Sequence, residues 1–99
     1  MDRIALIGDK TYPTPEQAKA HALARLITLL KKENVATDLN PNAWLHEKRP
    51  PIIPFIFIYG RLPRIVESRS TRGSLEYGYA IYEEGDGYRY IVWLHFIHR

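Results

Sequence analysis

The sequence predicts a single α+β domain, with a mainly antiparallel sheet of about four to five strands packed against one long N-terminal helix. An amphipathic segment near the N-terminus predicts the helix, and two strand-like segments joined by a glycine-containing turn predict a C-terminal hairpin. The 99 residues suffice for one domain, spanning residues 1–99. With 45% hydrophobic and 25% charged residues, the composition is that of a globular protein.

The first two elements follow from local patterns. The segment RIALIG, ending at Gly8, is short and β-compatible and predicts a first, partly buried strand. Thr14 then provides an N-cap, Pro15 fits the first helical position, and Gln17 occupies the capping-box position, so we expect a helix over about Pro15–Glu33. Its apolar residues form one broad stripe: Ala18, Ala22, Leu23, Leu26, Ile27, Leu29 and Leu30.

The opposite face of this helix carries polar and basic residues at helical spacing. They are His21, Arg25, Thr28 and Lys32. One interpretation is a basic stripe for phosphate groups. The favoured interpretation is a solvated face, which is the usual role of charges outside an apolar stripe.

The middle of the chain contains a strongly apolar segment. Asn40-Pro41 predicts one or two helical turns through residues 43–46, which Pro50-Pro51 end. The run Ile52–Tyr59 then predicts a strand with apolar residues on both faces, although Pro54 favours a sheet edge. Both features are satisfied if a second copy of the chain covers the strand. We therefore expect a homodimer whose interface contains Ile52, Phe55, Phe57 and Tyr59.

The last 25 residues predict a β-hairpin. With Asp86-Gly87 as a two-residue turn, Gly78 lies opposite His95, and other pairs include Ala80 with Trp93 and Glu84 with Arg89. A Gly85-Asp86 turn is the alternative, and it sets Gly78 against Trp93. The small-against-large and acid-against-base pairs favour the Asp86-Gly87 turn.

Composition and the N-terminus bear on compartment and partners. The chain has no cysteine, which excludes disulfides and thiolate chemistry and suits a hot environment. The first residues lack the pattern of a signal peptide, so we expect a cytoplasmic location. The run Ile52–Tyr59 is far shorter than the ~20 residues that span a bilayer, so no membrane partner is predicted.

No motif predicts catalysis, a metal or a cofactor. His46 lacks the second histidine of a helical zinc motif, and no phosphate-binding loop motif is present. His95 and His98 are three residues apart on a predicted strand and therefore face opposite sides. These observations favour a protein that is not an enzyme.

An arginine-rich segment lies between Gly60 and Gly73. Its four arginines, opposed only by Glu67, are interleaved with hydroxyl side chains, and all of these groups bind phosphate. They are Arg61, Arg64, Arg69 and Arg72. Tyrosines of the adjoining hairpin, including Tyr90, are candidates for base stacking. This pattern predicts a DNA or RNA contact surface. The competing interpretation is surface ion pairs beside tyrosines that pack the sheet.

The C-terminal YAIYEEGDGYRYIVWLHFIHR resembles the closing hairpin of RelE-type toxins in its Y-R, I-V and L-H pairs and basic end. The order of strand, helix, short helix and strands is also similar to that family. The resemblance implies an mRNA-cleaving ribonuclease, an alternative function in which acid–base chemistry belongs to Arg, Tyr, His or Lys side chains. The matching positions here are Arg64 or Arg89, Tyr90, His95 and His98.

The whole chain also resembles small proteins of filamentous and rod-shaped viruses of hyperthermophilic archaea. It is short, cysteine-free and rich in isoleucine and tyrosine. That resemblance implies an intracellular viral protein that acts by binding host or viral macromolecules. The leading prediction is therefore a small binding protein for nucleic acid or a host nucleoprotein.

Overall fold

A computed structural model of the chain describes residues 3–35, 40–46, 60–61, 63–71 and 75–96. The α-helix, α1, follows the first strand, and a 3₁₀ turn precedes the second strand. In chain order, the elements are β1 (Arg3–Ile7), α1 (Pro15–Lys32), the 3₁₀ turn (Pro41–Ala43), β2 (Leu45–His46), β3 (Ile65–Ser70), β4 (Leu75–Glu84) and β5 (Gly87–Phe96). The strands form one antiparallel sheet in the order β1-β5-β4-β3-β2. The predicted α+β fold is confirmed.

The helix begins and packs as its sequence predicts. The hydroxyl of Thr14 accepts a hydrogen bond from the Gln17 backbone N–H at 3.2 Å, and Pro15 occupies the first turn. The apolar stripe lies on β4 and β5, whose facing side chains complete the core. The buried members of this cluster are Ala18, Ala22, Leu26, Leu29, Leu30, Tyr79, Ile81, Tyr90, Val92 and Leu94.

A second apolar cluster lies on the other face of the two central strands. Successive side chains of a strand point to opposite faces, so β4 and β5 contribute to both clusters. Tyr82 is fully buried and Trp93 is 4% exposed, together with Ala80 and Ile91. Burial on both faces explains why the middle of each strand, residues 79–82 and 90–94, is apolar at every position.

The predicted hairpin forms, but its favoured register is wrong. Gly78 pairs with Trp93, so Gly85-Asp86 rather than Asp86-Gly87 forms the turn. Gly85 adopts a positive φ of 60° whereas Asp86 does not, which is the pattern of a type II′ turn with glycine at its first central position. The sequence motif Asp-Gly therefore did not decide the turn, because Gly85 could supply the required backbone conformation.

Gly78 makes a close backbone approach to β3. A Cβ atom on Gly78 would lie 2.6 Å from the Cβ of Ser70, a residue of β3 that pairs with Gly78. Contacts between carbon atoms normally occur at about 3.5–4.0 Å, so only glycine fits between β3 and β5 at this position.

The predicted strand over Ile52–Tyr59 lies outside the described residues.

Candidate nucleic-acid interface

The structure divides the arginine-rich segment into parts with different surroundings. Arg61 and Arg64 are exposed and border a cleft of about 480 Å³ near the hairpin turn. The Arg64 side chain is 82% exposed, and its Nε lies 3.9 Å from a Glu83 carboxylate oxygen. Arg72 lies outside the described residues. Arg61 and Arg64 therefore remain available to an external anion.

Arg69 belongs instead to a mixed-charge cluster that joins the helix to β3 and β4. Alternation along β3 places Glu67 and Arg69 on the helix side of the sheet. The Glu67 oxygen Oε2 accepts a hydrogen bond from the Tyr79 hydroxyl and lies 3.0 Å from Lys19 Nζ. Arg69 Nε lies 3.7 Å from the same oxygen, while its Nη1 donates to the Trp44 carbonyl at 3.1 Å. We call these four charged and phenolic side chains, those of Lys19, Glu67, Arg69 and Tyr79, the Glu67 cluster.

In the Glu67 cluster, two cations share one carboxylate oxygen. Burial favours a raised pKa for the Glu67 carboxyl, but hydrogen bonds from Tyr79 and Lys19 and the nearby charges outweigh burial and lower this pKa below its usual value. Burial and the hydrogen bond to Glu67 together raise the pKa of the Tyr79 hydroxyl. Glu67 is thus an anion and Tyr79 a proton donor at neutral pH. The cluster holds β3 against α1, and it leaves Arg69 less available for a ligand than Arg61 or Arg64.

Of the residues implied by the RelE resemblance, Arg89 and Tyr90 lie in different surroundings in the described part of the chain. Arg89 donates to Glu84 at 2.9 Å and to the Gly8 carbonyl at 2.7 Å, so its guanidinium is held on the protein. Tyr90, the next residue of β5, points to the other face and is 4% exposed within the helix-side core. Tyr90 therefore presents little ring surface to a base. His95 is half-buried in β5, and His98 lies outside the described residues.

The outer face of α1 carries cations without carboxylate partners. Arg25, Lys31 and Lys32 are exposed, and none forms an ion pair with any residue that the structure describes. Glu16 is the acidic residue within α1. The Thr28 hydroxyl donates to the Ala24 carbonyl at 3.1 Å, one turn earlier in the same helix. This face has an excess of positive charge open to solvent.

A stacked aromatic pair, half-buried Tyr12 and exposed His21, lies at the N-terminal end of the same face. The rings of Tyr12 and His21 stack with centroids 4.4 Å apart and planes inclined by 19°. Tyr12 is held in place because its backbone exchanges two hydrogen bonds with Tyr88 at the start of β5, at 2.7 and 2.9 Å. Lys10 Nζ lies 5.4 Å from the Tyr12 ring centroid. His21 is exposed, so its imidazole borders solvent.

Sequence reasoning identified some of these residues and missed others. His21, Arg25 and Lys32 were placed on one helix face by their spacing, and the structure confirms that placement. The roles of Tyr12 and Lys19 were missed, because each depends on a contact with a distant segment. A tyrosine between the first strand and the helix gave no periodic signal that would have marked Tyr12.

The fold and its surface define a small α+β protein with a cationic helix face. Within the described residues, no group of three or more His, Cys, Asp or Glu side chains is placed to hold a metal ion. Nor is any described helix long and apolar enough to cross a membrane. No protein-family model matches the chain, and no curated protein or solved structure matches it significantly.

Proposed function

We propose that this chain is a non-enzymatic nucleic-acid-binding protein that contacts phosphate groups through exposed cations. The observation that carries the proposal is the outer face of α1, where Arg25, Lys31 and Lys32 have no carboxylate partner among the described residues. Lys19, by contrast, is paired with Glu67. Cations that are already solvated and unpaired bind phosphate without first breaking an internal ion pair.

The spacing of these cations suits an extended polyanion. Arg25 and Lys32 are seven residues apart, which corresponds to about 10 Å along a helix. That distance is close to the Debye length of about 10 Å at 0.1 M salt, so their fields overlap over a run of phosphates. Arg61 and Arg64, near the hairpin turn, are a second candidate contact. The proposal thus retains DNA or RNA as the ligand and adds the helix face to the arginine-rich segment.

A ribonuclease is the alternative function. Its support is the C-terminal resemblance, but Arg89 is engaged by Glu84 and Gly8, and Tyr90 is packed in the core. Binding without catalysis therefore agrees better with the contacts of these side chains. If the protein is viral, its proposed location is the host cytoplasm. A host nucleoprotein is then a second proposed partner, contacted through the same exposed cations as nucleic acid.

Nucleic-acid binding over a salt series tests the proposal. We expect labelled DNA and RNA to bind wild-type protein with an affinity that falls as salt rises, because bound phosphates release counterions. Replacing Arg25, Lys31 and Lys32 together by glutamine should weaken binding. With duplex DNA it should also reduce the slope of log affinity against log salt by up to about 0.9 for each phosphate that the variant no longer neutralises.

A second variant separates the two cationic regions. Replacing Arg61 and Arg64 by glutamine removes two exposed cations while leaving the helix unchanged. A larger decrease in affinity in this variant than in the helix variant would place the binding surface on the arginine-rich segment. Wild-type protein that binds neither DNA nor RNA at low salt would contradict the proposal. Thermal unfolding of each variant must match the wild type for weaker binding to count.

A further inference from the structure

Three aromatic rings form a series from the protein interior to solvent. Tyr90 is 4% exposed, and its ring centroid lies 6.5 Å from that of Tyr12, with planes inclined by 21°. Tyr12 is half-buried and stacks on the exposed His21 at 4.4 Å. Tyr12 is thus the middle ring, and His21 is the outermost. The series fixes the orientation of an aromatic side chain at the protein surface.

His21 also belongs to the cationic helix face. It precedes Arg25 by four residues, so the two side chains lie about 6 Å apart along one face of α1. Lys32 continues the same face two turns further on. An exposed ring beside unpaired cations is the combination by which proteins bind single strands, with stacking for bases and positive charge for the backbone.

We infer that His21, supported by Tyr12, is a stacking platform for a base of single-stranded nucleic acid whose phosphates contact Arg25 and Lys32. This inference rests on the proposed function and specifies its ligand. Histidine is among the side chains on which unpaired bases stack. The imidazole is already held against Tyr12, so less side-chain freedom is given up when a base binds than with an unsupported ring.

The ligand must be single-stranded because of the geometry of stacking. In a duplex, each internal base is stacked on its neighbours and offers no free face to a side chain on the outside. A splayed single strand presents base faces and phosphates together. Duplex nucleic acid would contact Arg25 and Lys32 by its phosphates but gain nothing from His21.

Fluorescence anisotropy with four ligands tests this inference. The ligands are single-stranded DNA and RNA of about 12 nucleotides, the matching DNA duplex, and a strand of the same length that lacks its bases. The abasic strand keeps the phosphates, so the affinity ratio of the base-bearing to the abasic strand reports stacking alone. We expect this ratio to be roughly five or more in the wild type, the effect of stacking one base.

Three variants distinguish stacking from charge and from folding. His21→Ala should bring the ratio close to one without changing affinity for the abasic strand, and His21→Tyr should preserve the ratio because tyrosine also stacks. Arg25→Gln should weaken binding of all four ligands to a similar extent. Because His21 is exposed, the thermal unfolding of its variants should match the wild type. The comparison of DNA with RNA single strands identifies the natural chemistry of the ligand.

The outcomes that would overturn the inference are distinguishable. A ratio near one in the wild type, or an unchanged ratio in folded His21→Ala protein, overturns the stacking platform while duplex binding still supports phosphate contacts. In that case the Tyr12–His21 pair only packs the segment before α1 against the helix. Wild-type protein that binds none of the four ligands overturns the proposed function and this inference together.

Discussion

Glu67 connects three elements of the fold through one carboxylate. Its Oε2 atom accepts a hydrogen bond from the Tyr79 hydroxyl of β4. The same atom lies 3.0 Å from Lys19 Nζ of α1 and 3.7 Å from Arg69 Nε of its own strand. The sequence marked Glu67 only as the acid among four arginines. Its main partners could not be predicted because they depend on how α1 crosses the sheet, which no local pattern specifies.

Replacement of Glu67 by glutamine should destabilise the fold in a pH-dependent way. Charge-assisted hydrogen bonds contribute about 1.5–3 kcal/mol, and partial exposure reduces this, so we expect a decrease in the free energy of unfolding of roughly 1 kcal/mol at pH 7. The folded pKa of Glu67 is lowered, so its stabilising contribution is complete above the unfolded pKa of about 4.3 and disappears as pH falls through the folded value. Urea unfolding of both proteins between neutral and acidic pH measures the difference.

A matched control is Glu83→Gln. Glu83 is also an acid at the β3–β4 pairing, but it is exposed and lies 3.9 Å from the exposed side chain of Arg64. Its replacement should change the free energy of unfolding by no more than about 0.5 kcal/mol. Equal effects of the two substitutions, or a Glu67→Gln effect that grows at low pH, would contradict the assigned role of the Glu67 carboxylate.

The secondary-structure elements were predictable where a local signal dominates. The helix was expected over Pro15–Glu33 and spans Pro15–Lys32, because its cap, proline and apolar stripe all agree. The 3₁₀ turn at Pro41–Ala43 also follows its Asn-Pro signal, but the helical turns expected to continue through His46 are wrong there, because Leu45–His46 forms β2 and pairs with β3. β3 was missed as a strand, since its sequence IVESRS is mostly polar and its two serines are buried by tertiary contacts.

The turn motif alone leaves two registers open for the hairpin. Asp86-Gly87 and Gly85-Asp86 are both plausible two-residue turns, and the two choices shift the pairing of β4 against β5. The observed register leaves Gly78 opposite Trp93 and pairs it with Ser70 on the other side. The turn residues alone therefore do not determine the register.

Substitutions in the turn test this register. Gly85→Ala should destabilise the fold by about 1–2 kcal/mol, because Gly85 has a φ of 60° and a residue with a Cβ is strained there. Asp86→Ala should cost less than about 0.5 kcal/mol, since Asp86 is exposed and lacks a positive φ. Chemical denaturation ranks the two variants. A greater destabilisation in Asp86→Ala would favour the Asp86-Gly87 turn, which requires a positive φ at both central positions.

Over the whole described structure, charge is divided between paired and open groups. Lys19, Arg69 and Arg89 lie close to carboxylates, whereas the cations on the outer face of α1 do not. The formal net charge of +3 is modest, so affinity for a polyanion depends on this uneven distribution more than on the total. The same division explains why the proposed ligand contacts are on the helix face and at Arg61 and Arg64.

The oligomeric state remains a prediction from sequence, since the apolar run Ile52–Tyr59 lies outside the described residues. Both faces of the strand predicted there are apolar, and Pro54 disfavours a central position in a sheet. We therefore expect a second copy of the chain to cover this strand. Light scattering coupled to size exclusion, at micromolar concentration, should give twice the 11.6 kDa mass of one chain. The unfolding temperature of a dimer should also rise with protein concentration.

Phe57→Glu should convert the dimer to a monomer, because an interface that buries this position would have to bury an unpaired carboxylate. Val66→Glu is the matched control, since Val66 is a 45% exposed apolar residue of β3 where a carboxylate stays solvated. The control should keep the dimer mass, which shows that an added negative charge alone does not cause dissociation. A wild-type protein that remains a soluble monomer across the concentration range would contradict the dimer, and the run would then have to be buried within its own chain.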